Sequence, residues 1–499
     1  MYATRSADEF ALEHPGISFV CDEVTHVDAD RNQAKLASGD TIAFARCCVA
    51  TGASPSLSYS HPRVIGIRDT ESVANLSKRL ADARRVLIVG NGGIALELVE
   101  ALNSAQAVQM VWAVRDAYVG NTFFDANASA FFLPSLSACG NSREAPIPSN
   151  SPPSRTPSRD SPRRLPRVSS GADTPCFVPW TGGNSSDSRT SQEDMKSCRQ
   201  KTLLDIQFEC ELDDVRDGEG SKGSDGAGWP VSATLTNGVV VDCDFIISAT
   251  GAKPNTNALG DQFERGLDGG LVVDERMRVS RPSADGKASV NLAPQESIFA
   301  AGDCCCLEWP DRESTHWFQM RLWSQAREMG LFAAKCMVDS VDELSAGAFD
   351  LFVHATRFFD HKVVLLGRFN GQGLGKSLQD FVRTHMVLSS DDDVRLQGGA
   401  LAVRSGEGSS VPLQRKHEAT NVETGNSKTS GDVQVLVRTS PGAEYVKVVL
   451  LGGRVRGAML IGDTGLEETF ENLILSGTNV SDVGADLLSL DVDVEDFFD

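Results

Sequence analysis

The residues of this chain whose types and spacing could do chemistry fall in three short glycine-containing stretches. The first, Gly90-Asn91-Gly92-Gly93-Ile94-Ala95, follows the apolar run Val86 to Val89 and opens a helical pattern from Ile94 to Leu102. It has the form G-x-G-x-x-[G/A], and each small residue has a task. Gly90 makes a tight turn, Gly92 lets the backbone approach a pyrophosphate, Gly93 completes the turn, and Ala95 lets helix and strand pack closely. The helix N-terminus then presents free N–H groups and its positive dipole end to phosphates. A second apolar run, Val108 to Val114, completes a β-α-β unit, so the spacing predicts a nucleotide site; a structural glycine turn is the alternative. That run ends at Arg115-Asp116, 25 residues past Gly90. An acidic residue there binds the ribose 2′-OH of NAD, whereas an arginine meets the 2′-phosphate of NADP. Both types stand side by side, and for each a solvated turn charge is the competing reading.

Two further stretches echo one another. Ala50-Thr51-Gly52-Ala53-Ser54-Pro55 and Ala249-Thr250-Gly251-Ala252-Lys253-Pro254-Asn255 each follow an apolar run, and either alone reads as a strand-ending turn. The third feature is Ser297 to Asp303, a strand running into Gly302-Asp303, followed by a helical stretch Met320 to Gly330 that contains Gln325. Together with the glycine turn, these segments resemble the pyridine nucleotide-disulfide oxidoreductases, the two-dinucleotide flavoprotein reductases. Longer strings carry the likeness across about residues 1–499 apart from two insertions: VLIVGNGGIALELVEAL, GNTFFDA, DFIISATGAKPNT, IFAAGDCCC, MRLWSQAREMG, HKVVLLGRFNGQGLG and GLEETFENLIL…EDFFD.

The resemblance implies an α/β fold: an FAD-binding domain with an inserted NAD(P)-binding Rossmann-like domain, plus a smaller α+β C-terminal domain. It implies that Thr51, Gly52, Thr250 and Gly251 mark the crossings between the FAD and NAD(P) domains. Gly302 and Asp303 would hold the flavin, with the Asp303 carboxylate accepting from the ribityl hydroxyls. The helix after them would turn its N-terminus to the isoalloxazine. Gln325 lies near the ring in one reading and packs or faces solvent in another. The implied cofactors are FAD and NAD(P)H, and the implied reaction is hydride transfer from NAD(P)H to the flavin and on to oxygen, a quinone-like molecule or a protein thiol. The resembled subfamily lacks a redox-active Cys pair and is linked with protecting the tRNA ligase complex.

Some residues depart from that pattern. Residues 1–83 contain no G-x-G-x-x-G for the FAD pyrophosphate, so compared with the resembled family about 60–80 residues of the first β-α-β region are expected to be absent from this sequence. None of the twelve Cys lies in a C-x-x-C pair, and their scatter fits free thiols in a reducing, intracellular compartment, nucleus or cytoplasm. Cys304-Cys305-Cys306 beside Asp303 reads as packed thiols or as reactive ones. His316 reads as a helix-start residue or as a proton donor near the flavin. Two rival accounts stay open: a nucleotide-gated protective binding protein with little turnover, and an inactive truncated form.

The positioning elements follow from the pattern. Residues 17–53 alternate short apolar runs with polar turns and read as strands, with a turn at Ser38-Gly39-Asp40. Order fades from Phe132 to about Gln200, where residues 148–170 hold six Pro and five Arg, a composition that buries little apolar surface. Strands resume through Val231–Leu235 and Phe245–Ala249, and a helix is expected from Trp317 to Cys336 or Met337. A second polar insertion spans about 389–432. Strands at Tyr445–Leu451 and Ala458–Ile461 flank a Gly452-Gly453 turn, and a helix follows at Leu466–Leu475. The expected domains are 1–66 with 256–345 for FAD, 67–255 for NAD(P) with an insertion at about 133–200, and 346–499. With 47 basic and 68 acidic residues the net charge is −21, which argues against broad binding to nucleic acid or anionic membrane. No run reaches the roughly 18 apolar residues of a membrane helix.

Overall fold

The computed structural model describes residues 6–105, 108–138, 204–218, 228–282, 293–307, 316–342, 347–375, 379, 382–383, 401–404 and 433–489. Its centre is a five-stranded, all-parallel sheet in the order Val64–Gly66, Phe245–Ser248, Arg85–Val89, Gln109–Ala113, Leu204–Gln207. The inner strands are continuous apolar runs because both faces are covered. From Arg85–Val89, Val86 and Ile88 join the core with the Gly93–Ala105 helix, while Leu87 and Val89 join a second core. That second core lies under the antiparallel meander Leu212–Asp217, Val231–Leu235 and Val240–Cys243. Chain order reverses between Arg85–Val89 and Phe245–Ser248, which makes their carboxyl ends the topological switch point where open α/β sheets bind ligands.

A second, mixed sheet runs Cys305–Leu307, Leu271–Val273, Arg278–Arg281, Ala293–Ala300, Cys47–Val49. The chain leaves it after Cys47–Val49 and returns after Phe245–Ser248. The two crossings are zipped as an antiparallel ribbon, Ala53–Pro55 against Ala252–Pro254. The third sheet has six antiparallel strands in the order Val353–Phe358, His361–Gly367, Arg454–Ile461, Glu444–Leu451, Val433–Ser440, Leu401–Arg404. Its faces separate by alternation: Val363 and Leu365 pack toward the parallel sheet's helices, while Val364 and Leu366 pack under the Glu467–Ser476 helix.

Three boundaries differ from the sequence reading. Order does not fade at Phe132: a helix spans Ala126–Ala138, since Phe132 and Leu136 are buried against the aromatic core. The helix expected from Trp317 begins only at Trp323, because Arg321 adopts a left-handed φ of 56° that ends any earlier helical path. Within the second polar insertion, Leu401–Arg404 is a strand, supplied with hydrogen-bond partners by the edge of Val433–Ser440. The Pro/Arg-rich stretch lies outside the described residues, as do Cys139, Cys176, Cys198 and the acidic end at 490–499.

Candidate functional site

The glycine turn sits at the switch point. Gly90 has φ 135°, and a Cβ there would run into the carbonyl oxygen of Ala249, so the fold itself demands glycine. Gly93 is demanded by packing, since a Cβ would lie 2.6 Å from the Phe123 ring. Gly92 differs: the nearest atom to a Cβ there is Thr122 Oγ1 at 3.5 Å, an ordinary contact. No packing need explains glycine at that position, and the space above it suits a phosphate approaching the N-terminus of the Gly93–Ala105 helix. Ala95 is fully buried, as close helix–strand packing requires. Trp112 Nε1 donates to the Gly90 carbonyl at 2.7 Å and fixes the turn from the neighbouring strand.

Arg115 and Asp116 stand just past the Gln109–Ala113 strand and have different surroundings. Arg115 is exposed, whereas Asp116 is half-buried and accepts from Asn91 Nδ2 at 2.8 Å and from Asn121 Nδ2 at 2.9 Å. Asn91, the variable residue of the turn, also accepts from the Gly120 amide through Oδ1 at 2.6 Å. Thr122, Asn91 and Asn121 carried no sequence signal of their own; only their position in and beside the glycine turn places them there.

The paired A-T-G stretches meet across the crossing ribbon. Thr51 Oγ1 donates to the Asn255 carbonyl at 2.5 Å, and Asn255 Nδ2 donates to the Thr51 carbonyl at 3.0 Å. Thr250 Oγ1 donates to the Ser56 carbonyl at 2.7 Å, and the Ser56 amide donates to the Gly251 carbonyl at 2.8 Å. Gly52 and Gly251 have φ of 65° and 104°, which lets each chain turn out of its sheet. The threonine hydroxyls are thus engaged within the ribbon.

Gly302 (φ 76°) and Asp303 follow the Ala293–Ala300 strand, and a Cβ on Gly302 would lie 3.4 Å from Cβ of Ala326 in the first turn of the Trp323–Met337 helix. The Asp303 carboxylate is ion-paired with Arg68, which lies just past the Val64–Gly66 strand of the parallel sheet. Arg321 Nε donates to the Asp303 carbonyl at 3.1 Å and its guanidinium pairs with Asp268. Burial, with Arg321 nearby, pushes the Arg68 guanidinium down from its ordinary value. The carboxyl end of the Val64–Gly66 strand is thereby tied to the Gly302-Asp303 turn through Arg68. Arg68 is a residue the sequence did not single out: one arginine in Ile67-Arg68-Asp69 has no distinguishing pattern. Gln325 is buried and its amide is spent on backbone, accepting from the Met320 amide at 2.7 Å and donating to the Phe318 carbonyl at 2.7 Å. It holds the 318–320 segment against the helix start.

The cysteines beside Asp303 are packed. Cys304 Sγ donates to the carbonyls of Val49 and Ala301 at 3.3 Å, and Cys305 Sγ to that of Gly302 at 3.0 Å. Burial raises both thiols, so the nucleophilic thiolate is suppressed at neutral pH. The nine described cysteines are all free. His316 is not at a helix start. It is buried in a bridge to Leu351, its Nδ1 has no hydrogen-bond partner, and burial with Arg456 and Arg368 lowers it to about 4. A neutral imidazole held this way is a poor acid at neutral pH.

Comparison with known proteins gives a consistent result. A profile of the pyridine nucleotide-disulphide oxidoreductases matches residues 3–139 and 185–330. A mouse protein named pyridine nucleotide-disulfide oxidoreductase domain-containing protein 1 is 35% identical over 508 residues, covering 97% of this chain and 85% of its own. Its Dictyostelium discoideum namesake is 30% identical over 556 residues, covering 100% and 90%. Among solved structures, a ferredoxin reductase from Rhodopseudomonas palustris superposes with a TM-score of 0.58 at 15% identity, over 99% of this chain and 84% of that one.

Proposed function

Because the chain belongs to the pyridine nucleotide-disulphide oxidoreductase family, we propose that it is an NAD(P)H-dependent flavoprotein oxidoreductase that passes electrons from NAD(P)H through FAD to a separate acceptor. The observation that carries this reading is the glycine turn at the switch point, with Gly92 left bare for a reason the protein's own packing does not supply. The family's cofactors are FAD and NAD(P)H; when bound, they supply the hydride acceptor and donor.

The chain's own residues bind and orient. Gly90, Gly92 and Gly93 with the helix N-terminus cradle the nucleotide phosphates. Ala95 sets the helix against its strand, and Arg115 and Asp116 meet the adenosine ribose end. Asp303 retains acceptor capacity beyond its pair with Arg68, since a carboxylate offers about four lone-pair sites, and it holds the flavin's hydroxyls. Gly302 permits the close approach, and Arg68 ties the turn to the parallel sheet. Thr51, Gly52, Thr250 and Gly251 keep the crossings in register, so that the two sheets meet at a fixed distance. Gln325 positions the helix start that faces the same turn.

Cys304 and Cys305 are buried and their thiols are raised, so this pair is poorly suited to relay electrons from the flavin. The acceptor is then oxygen, a quinone-like molecule or a partner's thiol. The role that fits such a reductase is redox protection of a partner, with the tRNA ligase complex first among those to try. Steady-state NADH and NADPH oxidation by the FAD-loaded full chain, with each acceptor class in turn, tests this. One acceptor class that raises turnover well above the oxygen background supports the reductase. Nucleotide binding with no turnover on any acceptor overturns it in favour of a protective binding protein.

A further inference from the structure

The glycine turn has an outer wall, and that wall is held from the C-terminal sheet. Asn91 is tied to the Tyr118 carbonyl at 2.8 Å and to the Gly120 amide at 2.6 Å. Phe123 packs against Gly93, and Thr122 overlooks Gly92. The position of residues 118–125 therefore shapes the turn. Further along, this loop reaches Asp125, which is 1% exposed. Asp125 Oδ1 accepts from the Ala128 amide at 2.8 Å, and Oδ2 is ion-paired with Lys447 Nζ, itself 1% exposed. Lys447 also donates to Asn370 Oδ1 at 2.7 Å, and Asn370 Nδ2 donates to the Phe123 carbonyl at 3.0 Å. Arg383 donates to the carbonyl and side-chain oxygen of Asn121.

Lys447 lies on the Glu444–Leu451 strand, and Asn370 follows the His361–Gly367 strand. A buried ion pair pays heavily in desolvation and is weak evidence of stability, whereas fixing one geometry is its best-attested use. Here it joins the loop beside the glycine turn to the C-terminal sheet. We propose that Lys447 and Asn370 are positioning residues for the pyridine nucleotide: through Asp125 and Phe123 they hold the 118–125 loop, and the loop holds the Gly90–Gly93 turn in its nucleotide-binding shape. This rests on the reading of that turn as the NAD(P)H site. By linkage, whatever shifts the C-terminal sheet against the parallel sheet changes nucleotide affinity, and nucleotide binding stiffens the C-terminal sheet in return.

The test measures NAD⁺ and NADP⁺ affinity of the FAD-loaded full chain by calorimetry, with NAD(P)H kinetics beside it. Asn370→Ala removes the bonds to Phe123 and Lys447 without stranding a charge, and is expected to weaken nucleotide binding by about fivefold or more. KM should rise with kcat and flavin content unchanged. Arg438→Met is the control: Arg438 lies on the opposite face of the C-terminal sheet, bonded to the Leu488 carbonyl and Glu444, so it should lower Tm and leave affinity alone. Wild-type affinity in Asn370→Ala, or equal weakening in Arg438→Met, overturns the proposal. Should Asn370→Ala not fold, hydrogen exchange on the wild-type chain decides. Bound nucleotide must slow exchange in residues 445–449 as well as in 120–125, and no change at 445–449 overturns the proposal. A wild-type chain that binds neither nucleotide overturns the site reading itself, a separate and distinguishable result.

Discussion

Gly90 and Gly92 are two residues apart and are glycine for different reasons, which makes them separable. Gly90→Ala forces a Cβ into the Ala249 carbonyl at a φ of 135°, and should cost about 2 kcal/mol or more in urea unfolding. Gly92→Ala meets no close neighbour and should change stability by about 0.5 kcal/mol or less. The same substitution should still weaken NAD(P)H binding by about tenfold, because its methyl takes the space a phosphate needs. Equal nucleotide affinity in Gly92→Ala and wild type would contradict the account of the turn. A second residue-scale expectation concerns Glu100 on the Gly93–Ala105 helix. Burial raises its carboxyl to about 7, against an ordinary 4.5, although it accepts from the Phe359 amide at 3.0 Å. A raised folded value means a stability contribution that is full below pH 4.5 and lost as pH rises through about 7. Glu100→Gln keeps an acceptor for Phe359 and should raise Tm by about 2–4 °C at pH 8, with no gain at pH 4; a gain that does not depend on pH would sink this assignment.

Among the elements, the crossing ribbon is the one on which the relation between the two nucleotide-facing sheets depends. Asn255 closes it with a side chain that donates to the Thr51 carbonyl and accepts from Ser54 Oγ at 2.8 Å. Asn255→Ala should cost about 1 kcal/mol in denaturant midpoint, the net worth of exposed neutral hydrogen bonds. A loss of several kcal/mol would mean that the ribbon does more than link. The ribbon also shows what sequence carries. Its two strands were visible as echoing A-T-G stretches, because each sits beside an apolar run and before a proline. Their mutual pairing joins residues about 200 apart, and local pattern says nothing of that. The Trp323 helix start was invisible for a related reason. The left-handed Arg321 is set by its bonds to Asp303 and Asp268, and Gln325 folds back onto 318–320, all of which are tertiary effects. The Leu401–Arg404 strand was hidden in polar surroundings, because a four-residue strand depends on the edge it joins.

At the scale of the molecule, the parallel sheet and the C-terminal sheet share a core while the mixed sheet has its own, and polar ties link the parallel sheet's connections to both: Arg68 with Asp303, and Asp125 with Lys447. The glycine turn and Asp303 were legible because their motifs are local. Arg68, Asn370 and Lys447 were not, because a buried lysine looks like any other lysine until its partner is known. Two histidines are also buried at the joins, His316 and His354, and burial holds each at about 4 against an ordinary 6.5. A lowered folded value means stability present above pH 6.5 and lost as pH falls toward 4. Replacing His354 by Phe, which can keep a stack on Phe123, should therefore flatten the decline of Tm between pH 6.5 and 4.5, whatever it does to Tm itself. An unchanged slope would contradict that assignment. The central claim is that this chain carries electrons from a pyridine nucleotide to a flavin. Anaerobic stopped-flow mixing of the FAD-loaded full chain with NADPH and, separately, NADH tests it most directly. The account predicts bleaching of the flavin's visible absorbance with at least one donor, slowed by Gly92→Ala at limiting nucleotide. A chain that retains FAD yet stays oxidised with both donors would contradict it.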